Sequence, residues 1–386
     1  MRLGYNYPYS HLMDGSDIGP YIHVDPAEWK KRNDLEATGN ISSIPLPPLF
    51  DHIDRNLRNL KNMGFSVIRW FILGNGTNYG PSPKRVIRYK MSYWKNPMPI
   101  VEYNFDPPPI IDKRFRRDFE ELLRRFKAAK LQLIPSLIDF AFGSELLVPS
   151  GCCGRADVIR IPAKRKIFLD TMLAELLEAS KPFKEQIFAW EVINEPIWLC
   201  TPFGPLSKPE WNPRRTEVSS DEMTEFLNDA IQRIEKAGFQ STVGHRFYSD
   251  LTKFPTGSIP QFHTYYSSIF GYSDPVPMQG KRLWRANPKP ILGEFDSDQN
   301  RYGEVWASDL GTKDSTLERL KLLEREGCDL ALIWPELGDA KKGRISEDVK
   351  QKEQDVLTKK DIIKLLDKTR QAIVNYTGGI LPPKDE

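Results

Sequence analysis

Short apolar runs alternate with longer segments of helical periodicity along most of the chain, and this alternation constrains the fold more than any other feature. Runs rich in Val, Ile, Leu and Phe cover residues 3–7, 66–73, 131–138, 187–193, 241–243, 259–265, 290–295 and 330–334, the fifth being the weakest. Between them, amphipathic stripes predict helices over residues 49–63, 115–129, 164–180, 221–237, 316–326 and 360–375. Gly64, Gly238 and Gly327 each stand between a helix and the next strand, as a left-handed helix stop requires. Buried strands that alternate with helices form parallel sheets covered on both faces, and eight of them close into a (β/α)8 TIM barrel. A length of 386 residues suits one such α/β barrel carrying insertions. Residues 1–376 therefore read as a single barrel domain and residues 377–386 as a disordered C-terminal tail.

Three long segments, residues 14–48, 74–113 and 199–219, follow strand ends and are crowded with Pro, Gly and aromatic residues. Such βα loops lie at the carboxyl face of a barrel, where they build the walls of a cleft; the plainer alternative is that they only decorate the barrel. The 55 basic and 52 acidic residues nearly cancel to a net charge of +3, so nucleic acid and other polyanions are not expected partners. Aromatic residues make up 11% of the chain. Most of these rings belong in the core, and the remainder suit a cleft that stacks the flat faces of sugar rings.

Cys152, Cys153, Cys200 and Cys328 have neither the spacing of a zinc site nor that of a dense disulfide framework, and a bridge to Cys200 stays open. The first residues, MRLGYNYPYS, lack a basic start followed by an apolar run, and no stretch approaches the length of a membrane span. Cytoplasmic residence is the expectation, with secretion left open for a trimmed chain.

Two strand ends carry the chemistry. Residues 189–196, Ala-Trp-Glu-Val-Ile-Asn-Glu-Pro, form an apolar strand that stops at Pro196, which cannot continue a ladder and leaves Glu195 at the barrel mouth. Residues 290–295, Pro-Ile-Leu-Gly-Glu-Phe, end a second buried strand with Glu294 beside Gly293, a residue that lets backbone approach closely. Glycosidic cleavage with retention needs two carboxylates about 5–5.5 Å apart, one to protonate the leaving oxygen and one to attack the anomeric carbon. Near the end of the sixth strand, His263 and Tyr265 share a face by alternation. A Tyr hydroxyl there orients the nucleophile, while His263 bonds substrate or serves as a structural histidine. Arg69, in the second strand, needs a buried carboxylate partner, for which Glu294 is the obvious choice. Trp334 ends the eighth strand as a stacking platform, and Trp198 follows Asn-Glu-Pro as a ring for more distant sugar units, joined by at least one of Tyr79, Tyr93, Trp94 and Tyr103 of the second insertion, the alternative for each ring being that it packs the insertion onto the barrel.

This combination resembles the retaining glycoside hydrolases of the barrel clan that includes families 5 and 39, family 5 first, in which Glu residues close the fourth and seventh strands. The Trp-Glu-x-x-Asn-Glu-Pro string is its most specific part and Gly-Glu-Phe the next. The resemblance implies Glu195 as acid/base, Glu294 as nucleophile, and Arg69, Asn194, His263, Tyr265 and Trp334 around the sugar, with Asn194 on its 2-hydroxyl. One departure stands out. Many family 5 members carry a His near the end of the third strand, where this chain has Leu-Ile-Asp-Phe at 137–140; either Asp139 replaces it as a sugar ligand or the subfamily differs. The implied activity is double-displacement hydrolysis of a β-linked glucan, mannan or related oligosaccharide, with no metal and no cofactor. Glu195 would then carry a raised pKa and Glu294 would be held ionised by Arg69 and Tyr265. Transglycosylation would use the same residues. A non-catalytic carbohydrate-binding barrel and a metal-dependent barrel enzyme are the rivals. The first need not keep both carboxylates, and the second needs clustered ligands that five His residues hardly supply.

Overall fold

The computed structural model describes residues 1–7, 49–73, 113–143, 155–200, 217–264, 283–296, 316–334 and 367–381. Eight parallel strands close into a barrel in chain order: β1 Arg2–Tyr7, β2 Val67–Phe71, β3 Gln132–Asp139, β4 Trp190–Asn194, β5 Ser241–His245, β6 Gln261–Thr264, β7 Ile291–Asp296 and β8 Leu330–Trp334. The ring closes where β1 pairs with β8, Arg2 to Leu330 and Tyr5 to Ile333. This is the (β/α)8 barrel expected from the alternation, and β5 runs two residues beyond its weak apolar core.

Helices α1 Leu49–Asn62, α2 Lys113–Ala129, α3 over residues 162–180, α4 Ser220–Lys236, α5 Thr316–Glu326 and α6 Asp367–Thr377 lie between and after the strands. Local chemistry sets their ends. Ser219 and Glu222 cap α4 reciprocally, Glu222 N–H donating to Ser219 Oγ at 3.2 Å and Ser219 N–H to Glu222 Oε2 at 2.8 Å. Gly64, Gly238 and Gly327 take φ of +94°, +84° and +98° after α1, α4 and α5, the left-handed stops read from the sequence. Helix α3 contains one π-turn, Leu169–Leu173.

Two apolar layers follow from strand alternation. Outward residues such as Ile68, Trp70, Leu133, Trp190 and Val192 pack under the helices, Trp190 meeting Phe119 of α2 at a centroid distance of 5.9 Å. Inward residues Val67, Ile134, Ala189, Ile259, Ile291, Leu330 and Leu332 form a separate cluster that plugs the amino-terminal half of the barrel. Above that plug the inward side chains become polar.

The C-terminal tail corrects one expectation. Thr377 Oγ1 donates to the carbonyl of Met63 at 2.6 Å and Ile380 N–H to that of Asn62 at 2.7 Å, so the chain stays docked on the end of α1 through residue 380. Among the described residues no helix is long and apolar enough to cross a membrane. Cys200 and Cys328 are buried free thiols, and Cys152 and Cys153 lie outside the described residues.

Candidate active site

Arg69 of β2 is fully buried above the plug and spends all five of its N–H groups. Nε and Nη2 donate to the two oxygens of Glu191 at 2.6 Å each, and Nη2 also reaches Asn194 Oδ1 at 2.7 Å. Nη1 donates to Asn6 Oδ1 at 3.0 Å and to Glu294 Oε1. The remaining acceptor sites of Glu191 are filled by Ser136 Oγ at 2.8 Å and Gln261 Nε2 at 2.6 Å. A buried guanidinium survives only with this degree of pairing. Burial alone would lower the pKa of Arg69, but Glu191 and Glu294 outweigh it, raise the pKa and keep the group cationic. The expected partnership with Glu294 is therefore present but secondary, because the bidentate partner is Glu191.

Glycine makes room for this network. A Cβ on Gly244 of β5 would lie 2.9 Å from Glu191 Oε1 and 3.1 Å from Arg69 Nη2, and one on Gly293 would lie 2.6 Å from Gln261 Nε2. Gly293 also presents its carbonyl to Asn6 Nδ2 at 2.9 Å.

The carboxylates reach the interior through register irregularities. Strict alternation would place Glu191 and Asn194, three residues apart, on opposite faces, yet both touch Arg69. The β4–β5 register shifts between them. Similar shifts occur between Phe262 and His263 in the β6–β7 pairing and between Leu292 and Phe295 in β7–β8, on either side of Glu294. Bulges of this kind re-aim side chains next to active sites.

Glu195 follows β4 in a left-handed conformation with φ of +47°, its N–H held by the carbonyl of Gly244 at 2.7 Å. Its Oε2 accepts from the indole N–H of Trp198 at 2.5 Å, and its Oε1 meets His263 Nδ1 at 2.9 Å and Arg246 Nη1 at 3.1 Å. His263 Nδ1 is also 3.5 Å from Glu294 Oε2. One ligand atom from each of Glu195, His263 and Glu294 lies within 4.8 Å of the others. Such a set has the atoms to hold a metal ion, and Arg246 and Arg69 already supply positive charge to its two carboxylates.

The charge state of Glu195 departs from expectation. Burial pushes its pKa up, but Arg246, His263 and Trp198 outweigh that and hold it well below the usual carboxylate range, at about 2. These contacts favour the anion of Glu195, opposite in direction to the raised pKa expected of it.

No protein-family model and no curated protein sequence matches the chain. Solved structures do. The chain is similar to a β-mannanase from the blue mussel Mytilus edulis, at 14% identity over 97% of this chain and 91% of that one, with a TM-score of 0.54. A β-1,4-mannanase from the sea hare Aplysia kurodai gives 14% identity, 99% and 95% coverage and a TM-score of 0.54. A GH5_18 protein from Streptomyces cattleya, in complex with GlcNAc, gives 13%, 98% and 79%, with a TM-score of 0.53. The chain shares the barrel fold of these proteins.

Within this barrel the structure brings together Glu195, Glu294, Arg69, Asn194, His263, Trp198 and Asp139. Asp139 enters through Asn194, whose Nδ2 donates to Asp139 Oδ2 at 2.7 Å. Trp334 is half-buried at the same end of the barrel, its backbone in register with Asp296, and Tyr265 lies outside the described residues, as do Tyr79, Tyr93, Trp94 and Tyr103. Trp198 sits beside Glu195 itself rather than at a distance from it. Sequence reasoning missed Glu191, Gln261, Asn6 and Arg246. For Glu191 the signal was present, since an acid inside an apolar strand demands a cation. Arg246 follows the end of β5 directly, where barrel functional residues concentrate.

Proposed function

We propose that the chain is an O-glycosyl hydrolase that cleaves β-mannosidic bonds with retention of configuration, Glu294 acting as nucleophile and Glu195 as acid/base. The observation that carries this reading is the pair of carboxylates at the carboxyl face, with oxygens within 4.8 Å of one another. Retention uses a separation of about 5–5.5 Å, whereas inversion needs roughly 6.5–9.5 Å to admit a water. The mannanase neighbours, and a GH5_18 variant solved with Manβ1-4GlcNAc, favour β-linked mannose among the sugars the sequence leaves open.

In the first step a Glu294 oxygen bonds to the anomeric carbon while the glycosidic C–O bond breaks and the proton of Glu195 passes to the departing oxygen. In the second step Glu195 takes a proton from water, the water oxygen bonds to the anomeric carbon, and the ester to Glu294 breaks. Arg69 stabilises Glu294 as the carboxylate in the free enzyme and as the leaving group in the second step. Asn194, its amide fixed between Arg69 and Asp139, presents its remaining N–H to the sugar.

The test is hydrolysis of mannotriose and an aryl β-mannoside followed by proton NMR. The expected first product is the β-anomer, and a 2-deoxy-2-fluoro mannosyl fluoride should esterify Glu294, as read by peptide mass mapping. An α-anomer at early times would refute retention, and a label on any other residue would refute the assignment of Glu294.

A further inference from the structure

Three donors converge on Glu195, and one of them has no counterpart in the chemistry assigned above. Arg246 leaves the end of β5, lays its guanidinium over the Trp198 ring at 5.0 Å and beside the Phe247 ring at 5.3 Å, and donates to Glu195 Oε1 at 3.1 Å. Trp198 closes the triangle by donating to the other oxygen at 2.5 Å. Indole and guanidinium are donors only, so both contacts favour the anion and neither can accept a proton from a neutral Glu195. A planar guanidinium stacked on an aromatic ring also keeps its orientation better than an ammonium would.

We propose that Arg246 is a positioning residue that, stacked on Trp198, holds Glu195 in its ionised form, the form that activates water, at the expense of the protonated form that the first step needs. The proposal rests on the reading of Glu195 as acid/base. Other charged groups face Glu195. His263 from β6 meets Oε1, Glu294 from β7 lies across the site and raises the cost of a second anion, and Arg69 from β2 offsets Glu294. His245, next to Arg246 on β5, is buried and stacked on Phe254, and burial lowers its pKa to about 4, so it adds no cation at neutral pH. Arg246 is thus the one permanent cation that touches Glu195 among the described residues.

The consequence is an acid-shifted enzyme. The pH profile of kcat/KM reports the ionisations of the free enzyme, so its alkaline limb follows the loss of the proton from Glu195. The test compares wild type with Arg246→Met, which keeps a flexible side chain against Trp198, and Arg246→Lys, which keeps the charge. Two readouts are used: the kcat/KM profile on an aryl β-mannoside whose leaving group needs a proton, and the titration of the Glu195 carboxyl by carbon-13 NMR of glutamate-labelled protein, assigned with Glu195→Gln. Arg246→Met should move both the alkaline limb and the carboxyl titration upward by about one pH unit or more, with Arg246→Lys between it and wild type. A merely structural role would lower the melting temperature and leave the titration where it was. If Glu195 titrates identically in wild type and in both variants, the proposal is overturned. If wild type cleaves no β-mannoside while the carboxyl titration still shifts, the assigned activity fails and the role of Arg246 stands. Should Arg246→Met not fold, the Arg246→Lys titration decides alone: any upward shift supports the proposal and none overturns it.

Discussion

Glu191 and Glu294 share the guanidinium of Arg69, the first through two hydrogen bonds and the second through one. Removing that cation leaves two buried carboxylates facing each other without compensation. Arg69→Met should therefore cost about 3–5 kcal/mol of folding stability, read from urea denaturation at neutral pH. Arg69→Lys should lose less stability and most of the activity, because one ammonium cannot serve both carboxylates in a forked geometry. A loss below about 1 kcal/mol for Arg69→Met would mean that the pair is dispensable.

Gly244→Ala tests the same network from the side of sterics. The added methyl would press on Glu191 Oε1 and Arg69 Nη2, both locked by their own hydrogen bonds. The expected loss is about 1–3 kcal/mol, with turnover reduced further than stability alone explains, measured by thermal unfolding alongside kcat. Unchanged kinetics would show that the Arg69–Glu191 pair can shift freely.

Stability at low pH reports on Glu195. Its folded-state pKa lies at about 2, below the ordinary value of 4.5, so its contribution is fully present above about pH 4.5 and is lost as pH falls toward 2. Glu195→Gln removes the titrating group. Urea midpoints recorded from pH 5 to pH 2 should fall more steeply for wild type than for the variant, and parallel curves would contradict an ionised Glu195.

Trp198 was expected to stack on sugar units remote from cleavage, but its indole N–H serves Glu195 directly. Trp198→Phe keeps a ring beneath Arg246 and deletes that donor. By losing one donor to the anion, the variant should move the alkaline limb of kcat/KM upward, and to the same extent on a long manno-oligosaccharide and on a short substrate with a poor leaving group. A loss confined to the long substrate would restore the remote-subsite role.

Much of the barrel is legible in the sequence because its strands are buried on both faces and so stand out as short apolar runs, unbroken at residues 330–334 and interrupted by polar side chains only at Gln132 and Ser136 within residues 131–138. The two glutamates are legible for a related reason: each is an acid at the abrupt end of such a run. What alternation could not supply is which neighbouring polar residues face inward. Glu191 and Asn194 violate period two, and so does Glu294 beside the inward Gly293, because register shifts intervene that no side-chain pattern encodes. Arg246 was hidden by the shortness of the apolar run at 241–243, which ends three residues before it and so did not mark it as following a strand end. The ionised Glu195 was hidden with it, since its proton affinity depends on a cation from another strand.

The backbone of Glu195 gives the site a historical signature. A left-handed conformation costs an L-residue such as glutamate roughly 1–2 kcal/mol, while glycine occupies it without strain and asparagine with little. Backbone conformation alone would thus favour Gly or Asn at this position, and the bonds of the carboxylate to Arg246, His263 and Trp198 oppose that drift. A barrel that lost Arg246 and Trp198 would lose that compensation, and Gly or Asn at residue 195 would then be the more stable choice.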